Sequence, residues 1–570
     1  MLSRYLYTTL ASCVATASAA APIVDLGYGL WQATLNETGQ YYNFSNIRYA
    51  QPPVGALRFA APKEPHLNRT LMNDGQDGRI CIQGEVSWAK ERALFTKAYF
   101  SNANISAFQQ IPPPGFTGKA KPSPQADGRA TEDCLFLDVF VPKSVFDNGT
   151  LKKSGGAPVM MWTHGGGFYQ GYKDSQGNAA GLLAQSMKNP ATAPGIIYVA
   201  INYRLGAFGW LAGPSFAGSG ATPNAGLYDQ RLALEWMQKN IYRFGGDPNK
   251  VTMMGESAGG SSTLHQLTAF GGAKGNAPFS KALMISPAFN PNPYDAVQEQ
   301  TFQNFLTAAN VSTLTQLREL PSEAVIAANS LTIFEASYGS SGGFGPVVDG
   351  NFVPQLPTLL LQQGRYSKNV GAVLAAHNTN EGFLFTDPAI QNDTAFNAVV
   401  NSSNSSLFPE AQPAAKNEIA SSLYPPIYTN KTLGYNTTFS RAATLLADML
   451  VSCNVQAVME TWGVDQSHAW LFGEGAGLHG EDNPYVFYNN GPAQDKYGFG
   501  TVNETVAKTM QEWMLNFGAT GNPNGPGVVP MPVYGSNHVM ASLSNKGVGI
   551  PTPDPAFVQR CNFFREALYV

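Results

Sequence analysis

Charged residues are scarce in this chain. Asp, Glu, Lys and Arg together account for 13% of its 570 residues, whereas hydrophobic residues account for 44%. A composition this apolar excludes an intrinsically disordered or coiled-coil protein and provides material for a large hydrophobic core. The formal net charge of -4 leaves no basic surface of the kind that nucleic acid or an anionic membrane requires, so we expect neither as a partner.

Long apolar runs are also missing, apart from one at the N-terminus. Arg4 precedes a mostly apolar run over residues 5–14, and small residues with an Ala17-Ser18-Ala19 cleavage pattern follow. This order of features is typical of a secretory signal peptide, which we place at residues 1–19. Because no later stretch looks long and apolar enough to span a bilayer, we expect a secreted, extracellular protein without an integral membrane segment.

Cysteine is scarce as well, and one of the five cysteines, Cys13, lies in the predicted signal peptide. An even number remains, which favours two disulfides in an oxidising compartment, in any of three pairings of Cys81, Cys134, Cys453 and Cys561. Sequons for N-glycosylation agree with export. They begin at Asn36, Asn43, Asn68, Asn104, Asn148, Asn310, Asn392, Asn401, Asn404, Asn430, Asn436 and Asn503.

Short runs rich in Val, Ile and Met alternate with amphipathic stretches along the chain. The runs predict buried strands at 159–162, 196–201, 251–254, 282–285, 372–376 and 469–472, and the clearest predicted helices span 229–241 and 502–517. This alternation predicts an α/β fold with a large, mostly parallel sheet flanked by helices. Residues 111–128 and 392–438 lack regular patterns and the core of a separate domain, so we expect residues 20–570 to form a single domain.

The motif Gly255-Glu256-Ser257-Ala258-Gly259 follows one of the predicted strands and precedes a plausible helix. In this context the G-x-S-x-G pattern is typical of a nucleophile elbow, a tight turn that presents a serine oxygen to substrate. The turn leaves no room for side chains two residues away, which explains the glycines. Ser257 is therefore the predicted nucleophile.

A second glycine-rich segment, His164-Gly165-Gly166-Gly167-Phe168, follows the predicted strand 159–162. Backbone N–H groups there can approach a substrate oxygen because no side chains intervene. We expect oxyanion-hole donors at Gly166, Gly167 and Ala258. The segment lacks the pattern of a phosphate-binding or dinucleotide-binding loop, and we expect neither a cofactor nor a metal.

Seven histidines could act as the general base: His66, His164, His265, His377, His468, His479 and His538. In this kind of fold the triad residues follow one another along the chain in the order Ser, acid, His, so a base must come after Ser257. His66 and His164 precede it and are excluded, and His265 lies on the helix that the nucleophile itself begins. Of the remaining four, His479 lies in a glycine-rich loop directly after the last predicted strand, where catalytic loops belong. His479 is therefore the predicted base.

Two carboxylates compete for the third position of the triad. Glu381 follows the predicted strand 372–376, where its carboxylate could accept the second ring N–H of histidine and stabilise the imidazolium. Asp349 precedes that strand, so we expect it at the wrong edge of the sheet, in a turn. The residues favour Glu381 without excluding Asp349.

These motifs together resemble the type-B carboxylesterase/lipase family, which includes fungal lipases, carboxylesterases and cholinesterases. Asn380-Glu381-Gly382 and Leu478-His479-Gly480 carry the resemblance too, as do Gln51-Pro52-Pro53-Val54-Gly55, Thr131-Glu132-Asp133-Cys134 and Asn202-Tyr203-Arg204-Leu205-Gly206. The resemblance covers nearly the whole mature chain. It implies an α/β-hydrolase fold whose insertions form a gorge, Glu381 as the acid, and hydrolysis of small-molecule or lipid esters through an acyl-enzyme on Ser257.

The resemblance also implies pairs of residues that the patterns alone leave open. The implied disulfides are Cys81 with Cys134 and Cys453 with Cys561, and the implied buried ion pairs are Arg58 with Glu132 and Arg204 with Asp229. The residues that we expect to contact substrate are Phe168, Glu256, Leu384 and Phe385.

Departures from the family concern the substrate. Cholinesterases carry a tryptophan shortly before the second cysteine of the flap between Cys81 and Cys134, where it stacks on a quaternary ammonium. Here residues 126–132 contain none, and Trp88 lies near the other end of the flap, so choline esters are not expected. The segment 339–343, which resembles the family's acyl-pocket loop, contains only small residues and leaves volume for a larger acyl group.

Two questions stay open at the level of sequence. The flap aromatics either form a lipase-like lid or pack as a surface loop; these residues are Phe95, Tyr99, Phe100, Phe108 and Phe116. The alternatives to a general esterase are an inactive binding protein of the same family and an esterase dedicated to one natural ester. We expect a preference for short to medium acyl chains.

Overall fold

The computed structural model describes residues 21–110, 116–123, 125–149, 155–340, 343–401, 408, 411–463, 467–552 and 555–568. The predicted signal peptide, the sequon at Asn404 and the central residues Ser341 and Gly342 of the small segment 339–343 lie outside these residues.

Fourteen strands occur in the described ranges. They are β1 (Ile23–Asp25), β2 (Leu30–Gln32), β3 (Thr34–Asn36), β4 (Tyr41–Arg48), β5 (Met72–Asn73), β6 (Phe136–Pro142), β7 (Ala157–Thr163), β8 (Ile197–Ile201), β9 (Gly246–Glu256), β10 (Lys281–Ile285), β11 (Ala372–Asn378), β12 (His468–Phe472), β13 (Met540–Ser544) and β14 (Gly547–Thr552). Eleven of them form one sheet in the order β14-β13-β12-β11-β10-β9-β7-β8-β6-β4-β3, and β1, β2 and β5 form a small separate sheet.

The middle of the large sheet is parallel and its edges are antiparallel. Strands β8, β7, β9, β10, β11, β12 and β13 pair in parallel, in that order. At one edge, β14 pairs antiparallel with β13. At the other edge, β6 pairs antiparallel with β8, β4 with β6, and β3 with β4. All six predicted strands are present in the parallel part, which confirms the predicted fold class.

Helices cover both faces of the sheet. The described α-helices are α1 (Ala89–Phe100), α2 (Lys143–Gly149), α3 (Ala180–Ser186), α4 (Gly206–Trp210), α5 (Pro214–Gly218), α6 (Ala225–Asn240), α7 (Ala258–Leu267), α8 (Asp295–Ala308), α9 (Leu314–Glu319), α10 (Ser322–Phe334), α11 (Pro357–Gln362), α12 (Asp393–Asn401), α13 (Pro413–Glu418), α14 (Thr438–Ala447), α15 (Cys453–Thr461), α16 (Asn483–Val486), α17 (Glu504–Thr520) and α18 (Pro555–Arg565).

The core has one layer on each face of the sheet. Along β7, Val159 and Met161 join the cluster beneath α6, whereas Met160 and Trp162 join the cluster beneath α17. Successive side chains of a strand point to opposite faces, so a strand that is apolar at every position is buried on both. This is why the parallel strands appear in the sequence as continuous apolar runs.

The region 392–438 contains more regular structure than its sequence predicts. In its described part, α12, α13 and a π-helical turn at Ile419–Leu423 surround buried Phe396, Val400 and Tyr424, and the cluster extends to α14, α15 and α18. Individually these helices are short, so the 3.6-residue period repeats too few times to be recognised.

One expectation about apolar stretches is wrong. Helix α14, a π-helical turn at Asp448–Ser452 and helix α15 follow one another without a break and form one helical segment, Thr438–Thr461. By length and composition this segment is long and apolar enough to cross a membrane. However, 78% of its most apolar window is buried inside the fold, as in the core helix of a soluble domain. Cys453 on this helix bonds to Cys561 of α18 and ties the two elements together.

The disulfides and the buried ion pairs are those that the family resemblance implies. Cys81 pairs with Cys134 and Cys453 with Cys561. Arg204 contacts Asp229 through two hydrogen bonds of 2.8 and 2.7 Å, and both side chains are buried. Arg58 contacts Glu132 in the same way, at 2.7 and 2.6 Å.

Candidate active site

The nucleophile elbow forms where β9 ends and α7 begins. Ser257 stands between Glu256, the last residue of β9, and Ala258, the first residue of α7, with φ of 58° and ψ of -122°. A positive φ is strained for any residue with a Cβ, and such strain is typical of functional turns. A Cβ on Gly259 would overlap the carbonyl oxygen of Thr163, so close packing of the turn against β7 requires glycine there.

Ser257, His479 and Glu381 form a continuous chain of hydrogen bonds. The Oγ of Ser257 lies 2.7 Å from Nε2 of His479, and Nδ1 of His479 lies 2.5 Å from Oε2 of Glu381. All three side chains are buried. The arrangement lets the serine hydroxyl donate to the imidazole while the second ring N–H donates to the carboxylate, which fixes the tautomer of the ring.

The loops that carry the acid and the base are joined to each other. Asn378 at the end of β11 donates its side-chain N–H to the carbonyl of Leu478 at 2.7 Å, and the Asn380 amide donates to Gly477 at 2.8 Å. Glu381 itself begins a short 3₁₀ helix, Glu381–Phe385. The two loops therefore move as one unit, which keeps the carboxylate and the imidazole in register.

The charges of this pair support one another. Burial opposes ionisation of Glu381, but His479 and the hydrogen bonds from Ser286 and Asn378 outweigh it, so the pKa of Glu381 is lowered. Burial likewise opposes the imidazolium form of His479, but Glu381 and Glu256 outweigh it and raise the pKa of His479 above 6.5. The site thus favours the imidazolium that forms when a histidine accepts a proton from serine.

Three backbone N–H groups in the vicinity of Ser257 have no acceptor among the described residues: Gly166 and Gly167 line the same cavity as Ser257, and Ala258 follows it in the chain. No hydrogen bond among the described residues uses the amide N–H of Gly166, Gly167 or Ala258. Gly166 and Gly167 have φ of 108° and 61°, a conformation in which glycine is favoured. The N-terminal end of α7 adds positive potential at the same point. These groups are available to stabilise a developing oxyanion.

A cavity of about 490 Å³ opens above Ser257. Of the residues that we expected to contact substrate, Glu256, Leu384 and Phe385 line this cavity, as do Gly339 and Ser340 of the small segment. Phe168 does not line the cavity. Its side chain is 1% exposed and its ring centroid lies 4.4 Å from that of Trp210, so the expected contact with substrate is corrected to a packing role.

The polar residues around the histidine are Glu256, which the sequence predicted only as a substrate contact, and others that the sequence did not point to. Glu256 lies next to the base, with Oε1 3.6 Å from Nε2 of His479, and Gln176 donates to its other oxygen. Asp482 is fully buried nearby, and burial together with the charges of Glu256 and Glu381 raises its pKa to about 8. Lys496 lines the cavity as well. The acidic pair at 481–482 was visible in the sequence, but nothing in its spacing assigns a role to either residue.

The flap between Cys81 and Cys134 packs closely over the described part of its length. Phe95 of α1 is 1% exposed, and its ring lies 5.7 Å from Phe383 and 4.9 Å from Phe439. Tyr99, Phe100 and Phe108 border the same cluster. This packing favours a fixed surface element over a mobile lid. Trp88 at the start of α1 does reach the cavity, which its position in the sequence did not suggest.

The rejected candidates have structural roles. Asp349 accepts the amides of Asn351 and Val353, both at 2.9 Å, and so stabilises a turn. Burial lowers the pKa of His164 and of His265 to about 4, and the Nδ1 atom of each lies within 2.8 Å of a backbone carbonyl. Both rings are therefore neutral packing groups.

Comparisons with known proteins agree with this architecture. Residues 21–548 match the model of the carboxylesterase family. The chain is 39% identical over 562 residues to the carboxylesterase patB of Aspergillus clavatus, covering 96% of this chain and 97% of that protein. It is 29% identical over 418 residues to a secreted lipase of Arthroderma benhamiae, covering 73% and 76%. The crystal structure of Aspergillus niger EstA superposes with a TM-score of 0.73 at 24% identity, covering 96% and 98%.

The fold is that of an α/β-hydrolase. The chain belongs to the carboxylesterase family and thereby to the carboxylic ester hydrolases.

Proposed function

We propose that this protein hydrolyses carboxylic esters through an acyl-enzyme on Ser257, with His479 as general base and Glu381 as the acid that orients it. The hydrogen-bonded chain of these three side chains at the floor of the cavity carries the proposal. Nε2 accepts the proton of Ser257 as Oγ attacks the ester carbonyl, and the imidazolium then donates that proton to the leaving alcohol. In the second half of the reaction, Nε2 accepts a proton from water as the water attacks the acyl carbon. The imidazolium then returns a proton to Oγ of Ser257, and the carboxylic acid is released.

The amides of Gly166, Gly167 and Ala258 are the proposed donors to the tetrahedral oxyanion. They support this role because they are free of other acceptors among the described residues and stand on a loop and a helix that are both anchored to the sheet. The loss of one such donor typically lowers turnover about a hundredfold or more.

Hydrolysis of p-nitrophenyl esters of increasing chain length, by wild type and Ser257→Ala, tests the proposal. We expect wild type to act with preference for short to medium acyl chains and Ser257→Ala to fall at least a thousandfold. Equal, slow rates for both would favour the inactive binding protein instead. A rate that rises only above the micellar limit of a long-chain ester would favour a lipase over an esterase.

Secretion is part of the proposal, with residues 1–19 as a cleaved signal peptide and residues 20–570 as one glycosylated domain. The two disulfides support it, as does the similarity to the secreted lipase of Arthroderma benhamiae. Most described sequon asparagines are exposed, but Asn503 is partly buried and its Oδ1 caps α17. N-terminal sequencing and glycopeptide mapping of the exported protein test this, and we expect no glycan at Asn503.

A further inference from the structure

Two positively charged side chains line the cavity above Ser257. Arg92 reaches it from α1, and Lys496 reaches it from the loop before α17. Neither forms a salt bridge with any carboxylate that the structure describes, and their nearby partners are aromatic. The Cζ of Arg92 lies 5.1 Å from the ring centroid of Trp88, and Nζ of Lys496 lies 5.6 Å from that of Tyr497.

This lack of carboxylate partners contrasts with other arginines of the fold. Arg58 and Arg204 are buried, and each makes a paired contact with one carboxylate, as buried charges generally require. Arg92 and Lys496 instead border the water of the cavity. Their charges are therefore available to a molecule that enters it.

The acidic groups near the cavity do not neutralise both cations. Glu256 is the carboxylate among the described lining residues, and it already contacts Gln176 and lies close to His479. Asp482 does not line the cavity, and burial together with the charges of Glu256 and Glu381 opposes its ionisation and raises its pKa. The lining thus carries more positive than negative charge.

The ammonium of Lys496 stays charged at this position. Lys496 is exposed to solvent, so the ammonium keeps its hydration there. The field of Arg92 also reaches Lys496, so the two cations act on the same space. Gly480 makes room for this lysine, because a Cβ at Gly480 would overlap Nζ.

The hydrogen-bond donors of Arg92 and its neighbour Trp88 could bind a planar anion. The indole N–H of Trp88 is buried and has no acceptor among the described residues, and the guanidinium lies over the face of the same ring. A guanidinium presents parallel N–H groups that match the two oxygens of a carboxylate. The Trp88 ring has the Arg92 cation near it and also stacks on Tyr338 with 4.6 Å between the ring centroids, which leaves little of its face for a quaternary ammonium.

We infer that the preferred substrate is an ester that carries a carboxylate on its acyl or alcohol part, held by Arg92 and Lys496 while Ser257 attacks the ester carbonyl. This inference rests on the proposed hydrolysis at Ser257 and specifies its substrate class. A positive cavity also raises the local concentration of anions and hence kcat/KM at low ionic strength.

Pairs of esters that differ only in charge test the inference. On the alcohol side the pair is 4-carboxyphenyl butanoate and 4-carbamoylphenyl butanoate; on the acyl side it is the p-nitrophenyl esters of adipic acid and of its monoamide. Each kcat/KM is divided by the alkaline hydrolysis rate of the same ester, which removes differences in intrinsic reactivity. We expect a carboxylate preference of at least tenfold in one pair.

The variants are Arg92→Gln, Lys496→Gln and the double variant, with Lys97→Gln, an exposed lysine on the same helix, as the matched control. We expect the carboxylate preference to fall at least fivefold in the double variant and to persist in Lys97→Gln. In wild type, added KCl should lower kcat/KM for the carboxylate ester more than for the carboxamide. This salt measurement needs no variant, so it tests the inference even if a substitution prevents folding.

The possible failures are distinguishable. Ser257-dependent hydrolysis with equal rates for both members of each pair, or a preference that the double variant retains, overturns the charge inference alone. No Ser257-dependent hydrolysis of any of the four esters overturns the proposed function itself.

Discussion

Ser286 donates its hydroxyl to Oε1 of Glu381 at 2.6 Å, on the side of the carboxylate that faces away from the histidine. Ser286 follows β10 directly and is fully buried. The backbone amide of Asn378 donates to the same oxygen, also at 2.6 Å. Together these bonds leave Oε2 free for His479 and keep the carboxylate ionised in a buried site.

Replacing Ser286 by alanine should therefore weaken catalysis rather than binding. A hydrogen bond to a charged group contributes about 1.5 to 3 kcal/mol, so we expect kcat to fall roughly tenfold to a hundredfold, with KM little changed. Steady-state kinetics on p-nitrophenyl butanoate measure this. Ser280→Ala is the control, because Ser280 bonds only backbone at the far end of β10. Equal losses in the two variants would contradict a positioning role for Ser286.

The pH dependence of kcat/KM should report His479. A base must be neutral to accept the serine proton, so activity is lost as pH falls through the pKa of His479, which lies above 6.5. Glu256 raises this pKa and Lys496 lowers it. We therefore expect Glu256→Gln to move the acidic limb to lower pH and Lys496→Gln to move it to higher pH, each by about one unit.

The decisive result of that pH experiment is that the acidic limb shifts in opposite directions in the two variants. A general loss of structure would shift the acidic limb in the same direction in both. Shifts in one direction, or none in either variant, would show that neither group acts on the base.

The buried pair of Arg204 and Asp229 should contribute strongly to stability. Asp229→Asn leaves the Arg204 guanidinium buried without its charge partner, so we expect a loss of about 3 to 5 kcal/mol in the free energy of unfolding. The control is Asp127→Asn, which breaks the exposed pair with Arg129 and should change the free energy of unfolding far less, because solvent screens that pair. Urea denaturation compares them, and equal costs would contradict the account.

Glu335 holds part of the flap in place. Its carboxylate accepts the amides of Thr117, Gly118, Lys119 and Ala120 at 2.6 to 3.1 Å, and the Thr117 hydroxyl at 2.6 Å. These bonds outweigh burial and lower its pKa to about 2, so the carboxylate stays ionised at neutral and mildly acidic pH.

Glu335→Gln places a donor against those donors, so amide exchange over residues 116–120 should become faster. Hydrogen exchange with mass spectrometry measures this, with Glu323→Gln, an exposed position on the same helix, as control. Unchanged exchange in Glu335→Gln would mean that other contacts hold the flap.

The parallel strands and the elbow could be predicted because their signals are local. A buried strand is a continuous apolar run, and the turn at Ser257 needs its glycines at fixed positions. Strands β3, β4, β13 and β14 near the two edges of the sheet were missed, as was β6. The first four mix polar and apolar residues, so they resemble loops until their partners are known.

The surroundings of the triad could not be predicted, because they depend on distant parts of the chain. Arg92 lies on the flap and Lys496 lies beyond the histidine loop, and no sequence period connects either to Ser257. The opposite error occurred at Phe168: a contact with substrate was expected there, but the ring is buried in the core against Trp210.

The central claim is that Ser257 forms a covalent acyl intermediate. Rapid acid quench after mixing with p-nitrophenyl acetate, followed by peptide mass mapping, tests it most directly. We predict one acetyl group, located on Ser257, in wild type, and none in His479→Ala. Hydrolysis without an acetylated peptide, or an acetyl group on any other residue that turns over at the catalytic rate, would contradict it.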